Sequence, residues 1–182
     1  MTAPHRTAPT SRTTARHCVI DGALGELTVV ADHDSLIGIY FPQHWTNPST
    51  DDFGPRVDAS SDPLLDRAGR QLDEYLTGGR TAFDLPIDPH GDAFQHQVWK
   101  LLMEIPYGAT TTYGALAERL GNKALAQRVG QCVGHNPLSV VIPCHRVVGS
   151  DGSLTGYAGG LDRKRFLLGL EEPDEARAAR LF

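Results

Sequence analysis

The sequence predicts an α+β chain in two unequal parts: a small N-terminal domain made of an antiparallel sheet plus one helix, then a mostly helical C-terminal domain. Three observations carry that prediction. Between residues 17 and 41, short apolar runs are broken by Gly- and Asp-containing turn signals. Residues 63–76 then repeat apolar side chains at helical spacing. Past Asp88-Pro89-His90-Gly91 the strand pattern stops and three helical patterns follow closely. The expected division is a disordered tail over 1–16, an N-terminal domain over 17–90, a C-terminal domain over 91–172 and a flexible tail over 173–182.

Composition bounds the answer. At 182 residues, with 40% hydrophobic and 21% charged residues, the chain is a globular protein long enough to bury a core. No apolar run approaches the ~20 residues of a membrane span. Three scattered cysteines and an N-terminus without a secretory apolar core point to a reducing cytoplasm. Net charge is −5, which argues against a broad basic field for nucleic acid. The charge is uneven, however: residues 1–90 hold 7 basic against 13 acidic side chains, whereas residues 91–170 hold 8 against 5. The back half can therefore meet a phosphate backbone.

Taken in order, residues 1–16 are rich in Thr, Ala, Pro and Arg, with no acid and no apolar period. His17-Cys18-Val19-Ile20, Leu27-Thr28-Val29-Val30-Ala31 and Leu36-Ile37-Gly38-Ile39-Tyr40-Phe41 read as two or three short antiparallel strands. Residues 42–60 read as a long loop. Asp62 caps a helix beginning at Pro63, with Leu65, Ala68, Leu72, Tyr75 and Leu76 on one face and Gly78-Gly79 as its stop. Phe83, Leu85 and Ile87 alternate like one more strand. His17-Cys18 has no second Cys/His pair at ligand spacing, so no metal is expected there.

Phe94, Val98, Leu101, Leu102 and Ile105 mark a helix ended by Pro106-Tyr107-Gly108. Thr110-Thr111-Thr112 offers caps for a second, Tyr113 to Leu120, stopped at Gly121-Asn122. A third, roughly Ala124 to Val133, carries few bulky residues. Two short helices joined by a tight turn have the form of a helix-turn-helix. Leu138-Ser139-Val140-Val141-Ile142 reads as a buried strand that Pro143 stops, presenting Cys144 with His145 and Arg146 beside it. A base to take the thiol proton and a positive charge for the thiolate make a cysteine reactive. After a turn at Gly149-Ser150-Asp151-Gly152, the stretch Thr155-Gly156-Tyr157-Ala158-Gly159-Gly160 reads either as a phosphate cradle, weakly since it lacks P-loop spacing, or as a flexible wall beside the Cys for a flat ligand. The last helix, Asp162 to Leu170, offers Phe166, Leu167 and Leu170 for packing, with Arg163-Lys164-Arg165 turned outward.

Ile-Pro-Cys-His-Arg-Val at 142–147, with Asn136-Pro137 before it and Tyr157-Ala158-Gly159-Gly160-Leu161 after it, resembles the O6-alkylguanine-DNA alkyltransferases (methylated-DNA–protein-cysteine methyltransferases). The likeness runs from about Phe94 to Glu171, under half the chain; the N-terminal part is similar in outline only. It implies a winged helix-turn-helix that enters the minor groove of double-stranded DNA and flips the damaged guanine into a pocket. It also implies a protein that accepts the alkyl group once and for good, as a monomer that can cluster on DNA, without cofactor or metal. By resemblance Cys144 is the alkyl acceptor, and His145 removes its proton through a bound water. Glu171 orients the imidazole, Asn136 ties the helix-turn-helix to the active-site turn, and Tyr113 assists base rotation and protonates the leaving guanine. Ser150, Tyr157, Ala158 and Gly159 match the loop over the flipped base.

The chemistry asks for the same residue types: displacement at a methyl carbon needs a soft thiolate, and guanine leaves best with a proton donor in reach. Zinc on Cys132, His135 and Cys144 is rejected because it would quench that nucleophile. One departure stands out. The family pattern Ala-Arg-Ala-Val-Gly, whose Arg fills the gap left by the flipped base, reads here Ala126-Gln127-Arg128-Val129-Gly130. Either Gln127 is a shorter wedge with Arg128 on a phosphate, the preferred register, or a shifted helix start lets Arg128 fill the gap. Two other functions compete with repair. A non-reacting alkylguanine sensor would not need Cys144, His145 and Glu171 together. A cysteine hydrolase would need an oxyanion apparatus, and its base usually comes from a distant segment.

Overall fold

The computed structural model describes residues 14–46 and 48–173. The tails expected at the two ends lie largely outside these residues, although Arg16 already belongs to the first strand. β1 (Arg16–Gly22), β2 (Gly25–Asp32) and β3 (Ser35–Tyr40) form an antiparallel meander in sequence order. The β1–β2 hairpin closes on Gly22 opposite Gly25, whose φ of +86° suits a residue without a Cβ. Alternation puts Leu27, Val29 and Ala31 on the buried face, and a register shift at Val30/Ala31 re-aims the chain before β3.

Helix α1 (Pro63–Leu76) covers that sheet with Leu65, Ala68, Leu72, Tyr75 and Leu76. Its start is fixed by the Asp62 carboxylate, which accepts from the backbone N–H groups of Leu64 and Leu65 at 3.0 and 3.1 Å. The strand expected at Phe83–Ile87 is absent: only Ile87 bridges to Leu36. Pro86 has no N–H to give, and the Asp84 N–H bonds the Gln71 side chain at 2.9 Å, so no ladder forms. Within the 42–60 loop, Phe53 stacks on Tyr40 with ring centroids 5.3 Å apart.

The C-terminal part begins with α2 (Ala93–Met103), closed by a reciprocal cap between Asp92 and Gln95. The helix-turn-helix is α3 (Tyr113–Arg119), capped by Thr112, then Gly121 at φ +92°, a 3-10 turn over Lys123–Leu125 and α4 (Ala126–Gly134). A two-residue parallel pair, β4 (Thr111–Thr112) with β5 (Val147–Val148), ties the front of α3 to the chain after Cys144. α5 (Leu161–Glu171) closes the fold. Leu72 and Tyr75 of α1 belong to the same continuous core as Leu102, Leu116, Val129 and Leu167, so the two parts are packed as one body. No helix among the described residues is long and apolar enough to cross a membrane.

Residues 138–142, expected as a strand, correct the sequence reading most. Leu138 makes a single bridge to Ile39 at the edge of β3, supported by the Ile39 N–H to the Pro137 carbonyl at 2.8 Å. The chain then turns back on itself. Ile142 N–H bonds the Leu138 carbonyl at 2.9 Å, with Val140 held at φ +72°. The apolar run is there because it is buried, and local bonds satisfy its backbone in place of a ladder.

Candidate active site

The tight turn from Asn136 to Arg146 places Cys144 and His145. Asn136, 1% exposed, accepts from the Leu138 N–H at 3.0 Å; its Nδ2 donates to the Ile142 carbonyl at 2.8 Å and to Cys144 Sγ at 3.1 Å. One amide thus holds the turn and touches the thiol it presents. Cys144, His145 and Arg146 form a short 3-10 turn, all three buried.

Behind it, Glu171 at the end of α5 gathers five donors on one carboxylate. Oε1 takes His145 Nε2 at 2.6 Å, Arg146 Nη2 at 3.0 Å and the Tyr75 hydroxyl. Oε2 takes Arg146 Nε at 2.8 Å and the Gly108 N–H at 3.1 Å. Burial alone would raise the Glu171 pKa, but the hydrogen bonds from His145 and Arg146 outweigh it and hold the carboxyl down to about 2. His145 is lowered by burial, which outweighs the pull of Glu171, so the imidazole rests neutral. A neutral ring with a carboxylate on Nε2 carries its hydrogen there. Nδ1 keeps the lone pair, and it is a buried nitrogen without a hydrogen-bond partner among the described residues. This is the arrangement of a base with its orienting acid.

The charge acting on the thiol is not the one the sequence suggests. Arg146 is committed to Glu171 and, through Nη1, to the Ile105 carbonyl at 2.6 Å. Lys164, expected to face outward, is instead fully buried and donates to the Val147 and Thr155 carbonyls at 2.6 Å each. Burial lowers its pKa to about 8, against a smaller opposing pull from Cys144. Cys144 itself is pushed up by burial, opposed by the Asn136 bond and the Lys164 charge. The resting group is a thiol with a cation and an amide ready for the thiolate. Sequence reasoning missed Lys164, although the i, i+3, i+7 spacing of Lys164, Leu167 and Glu171 places all three on one face. It missed Tyr75 too, because a Tyr on the buried face of α1 reads as packing.

The other candidate residues lie around this cluster. Tyr113 accepts a hydrogen bond from Thr155 Oγ1 at 3.2 Å, and its ring lies against Gly130. With Trp45, Ala126, Gly134 and Gly156 these residues line an open cavity of about 380 Å³. Tyr157 is buried edge-on to Phe41, 6.0 Å between centroids, and its hydroxyl has no hydrogen-bond partner among the described residues. Ala158 is buried beside it, and Gly159 is pressed on Phe41, where an added Cβ would lie 2.4 Å from the ring. Gln127 and Ser150 are exposed and outside the buried cluster. Arg128 is exposed with its guanidinium 3.9 Å above the Phe94 ring centroid. The remaining thiols are packed: Cys18 is pushed up to about 11 by burial and by Asp62, and Cys132 is raised by burial. Among the described residues, no three His, Cys, Asp or Glu side chains are grouped to hold a metal.

Comparison with known proteins covers both parts of the chain. Residues 93–173 match the DNA binding domain of 6-O-methylguanine DNA methyltransferase, and residues 16–89 match its ribonuclease-like domain. A methylated-DNA–protein-cysteine methyltransferase of Mycobacterium tuberculosis is 41% identical over 153 residues, spanning 84% of this chain and 90% of that one. One from Methanosarcina acetivorans is 37% identical over 155 residues, spanning 85% and 97%. The crystal structure of Mycobacterium tuberculosis OGT in complex with DNA has a TM-score of 0.78 at 39% identity, covering 86% of this chain and 92% of that one. The likeness therefore extends well beyond the C-terminal segment in which the sequence displays it. The chain belongs to the 6-O-methylguanine DNA methyltransferase family.

Proposed function

We propose that the chain repairs DNA by direct reversal, moving the alkyl group of O6-alkylguanine onto Cys144 in a single, irreversible event. The observation that carries this reading is the buried series Asn136–Cys144, His145–Glu171, in which a thiol, a neutral base and an orienting carboxylate share one side of the core. His145 takes the thiol proton at Nδ1, relayed by a water. The Lys164 charge and the Asn136 amide stabilise the thiolate. The Sγ–carbon bond forms as the carbon–O6 bond breaks. The Tyr113 hydroxyl, paired with Thr155 Oγ1 at 3.2 Å, is the proton donor for the leaving guanine. The sulfur keeps the alkyl group, so no second round follows.

The DNA partner is supported by the relative solved with DNA and by the form of α3 and α4. Ala126, Gly130 and Gly134 lie at i, i+4 and i+8 on α4, and their small size makes room on that face for Tyr113, Trp45 and the cavity they line. The flipped base would enter the cavity beside Tyr113. Gln127 borders that small-residue face and is exposed, whereas Arg128 is about 100° further round and already stacked on Phe94. Gln127 is therefore the wedge and Arg128 a phosphate contact. Replacing Arg128 with Ala is expected to weaken lesion-bearing and undamaged duplexes equally and to lower the salt slope by about 0.9. Intact binding with blocked transfer would make Arg128 the wedge.

The function is tested with a duplex carrying labelled O6-methylguanine. One equivalent of label should move to the protein, and fresh duplex should move no more. Tight lesion binding without label transfer would mark a sensor.

A further inference from the structure

Trp45 follows β3 in the N-terminal part and is 57% exposed, the most exposed large apolar side chain among the described residues. An indole left in water costs apolar area. This indole is held in position. Its Nε1 donates to the Gly134 carbonyl at 2.7 Å, and its backbone N–H donates to the Ala158 carbonyl at 3.3 Å. The outer ring sits in a slot made by two glycines. A Cβ on Gly134 would lie 2.4 Å from Cζ2, and one on Gly156 would lie 3.4 Å from Cη2. The indole thus bridges the end of α4 and the 149–160 loop, and forms one wall of the cavity that Tyr113, Gly130 and Thr155 also line.

Both anchors of this wall adjoin groups around the acceptor thiol. Gly134 is two residues from Asn136, which bonds Cys144 Sγ, and Ala158 follows the buried Tyr157. A guanine that enters this cavity shares its volume of about 380 Å³ with whatever the alkyl group carries beyond its first carbon. Resting on the alkyl-transfer reading above, we propose that Trp45 sets the upper size of the alkyl group this protein accepts. Methyl fits within the wall, whereas a benzyl ring competes with the indole for the slot between Gly134 and Gly156. The N-terminal part would then be a selector of substrate as well as a support for the acceptor domain.

The test is a competition between duplexes bearing O6-methylguanine and O6-benzylguanine, with the benzyl-to-methyl rate ratio as the readout. Trp45→Ala should raise that ratio about tenfold or more, the scale on which a pocket wall discriminates by size. Trp45→Phe, which keeps much of the wall, should stay within about threefold of the parent chain. Gly134→Ala leaves Trp45 in the sequence but expels its ring, so it should also raise the ratio, and it serves if Trp45→Ala fails to fold. A ratio that is unchanged or lower when the ring is removed or expelled overturns the proposal. Failure of the parent chain on the methyl duplex would instead strike at the alkyl-transfer reading itself.

Discussion

Glu171→Gln is expected to slow alkyl transfer by about a hundredfold or more, and to destabilise the fold by roughly 3 kcal/mol near neutral pH. The kinetic loss follows from the tautomer. The carboxylate only accepts, so it keeps the hydrogen on His145 Nε2 and the lone pair on Nδ1. A Gln amide can donate instead, which would place the hydrogen on Nδ1 and remove the base. The imidazolium formed when the thiol gives up its proton would also lose its counter-charge. The stability loss follows from Arg146, 7% exposed, whose two-pronged ion pair would be gone.

The sign with pH follows from the same groups. Glu171 is held at about 2 against an ordinary 4.5, so its contribution is present above pH 4.5 and is lost as pH falls through 2. That difference is worth roughly 3 kcal/mol. His145 is also depressed, so its share is present above its ordinary 6.5 and begins to be lost below that value. Urea unfolding should therefore show the parent chain weakening from about pH 6.5 downward. The gap between parent and Glu171→Gln should close toward pH 2. A gap independent of pH would contradict this account of the carboxylate.

Asn136→Ala is expected to cost about 2–4 kcal/mol and to raise the pH at which transfer becomes fast. It removes the acceptor for the buried Leu138 N–H and a donor to the buried Ile142 carbonyl, and these bonds hold a turn in which Val140 sits at φ +72°. It also removes the one side-chain hydrogen bond that Cys144 Sγ receives among the described residues, leaving burial to push the thiol further up. A purely structural role would lower stability and leave the pH profile in place. The pH–rate profile of the folded fraction separates the two.

These two residues show what the sequence could and could not disclose. Cys144 and His145 are adjacent in the chain and follow a proline, so their pairing needs no knowledge of the fold. Helix α1 was legible because Asp62-Pro63 carries its own start signal. The segment 138–142 was not, since a buried run reads the same whether a ladder or an Asn side chain satisfies its backbone. Lys164 sat between two arginines and looked solvated, because burial of a charge depends on carbonyls from two other segments. Tyr75 reaches Glu171 across 96 residues of sequence, and Trp45 reaches Gly134 across 89. Long-range contacts of this kind leave no local pattern to read.

The most direct measurement is peptide mass spectrometry after mixing the protein with a duplex bearing one O6-methylguanine. The expected result is a single added methylene, complete at one equivalent, that fragmentation of the 129–146 peptide places on Cys144 and not on Cys132, with none on the peptide that holds Cys18. A methylene on another residue, or none while the lesion disappears from the DNA, would contradict it.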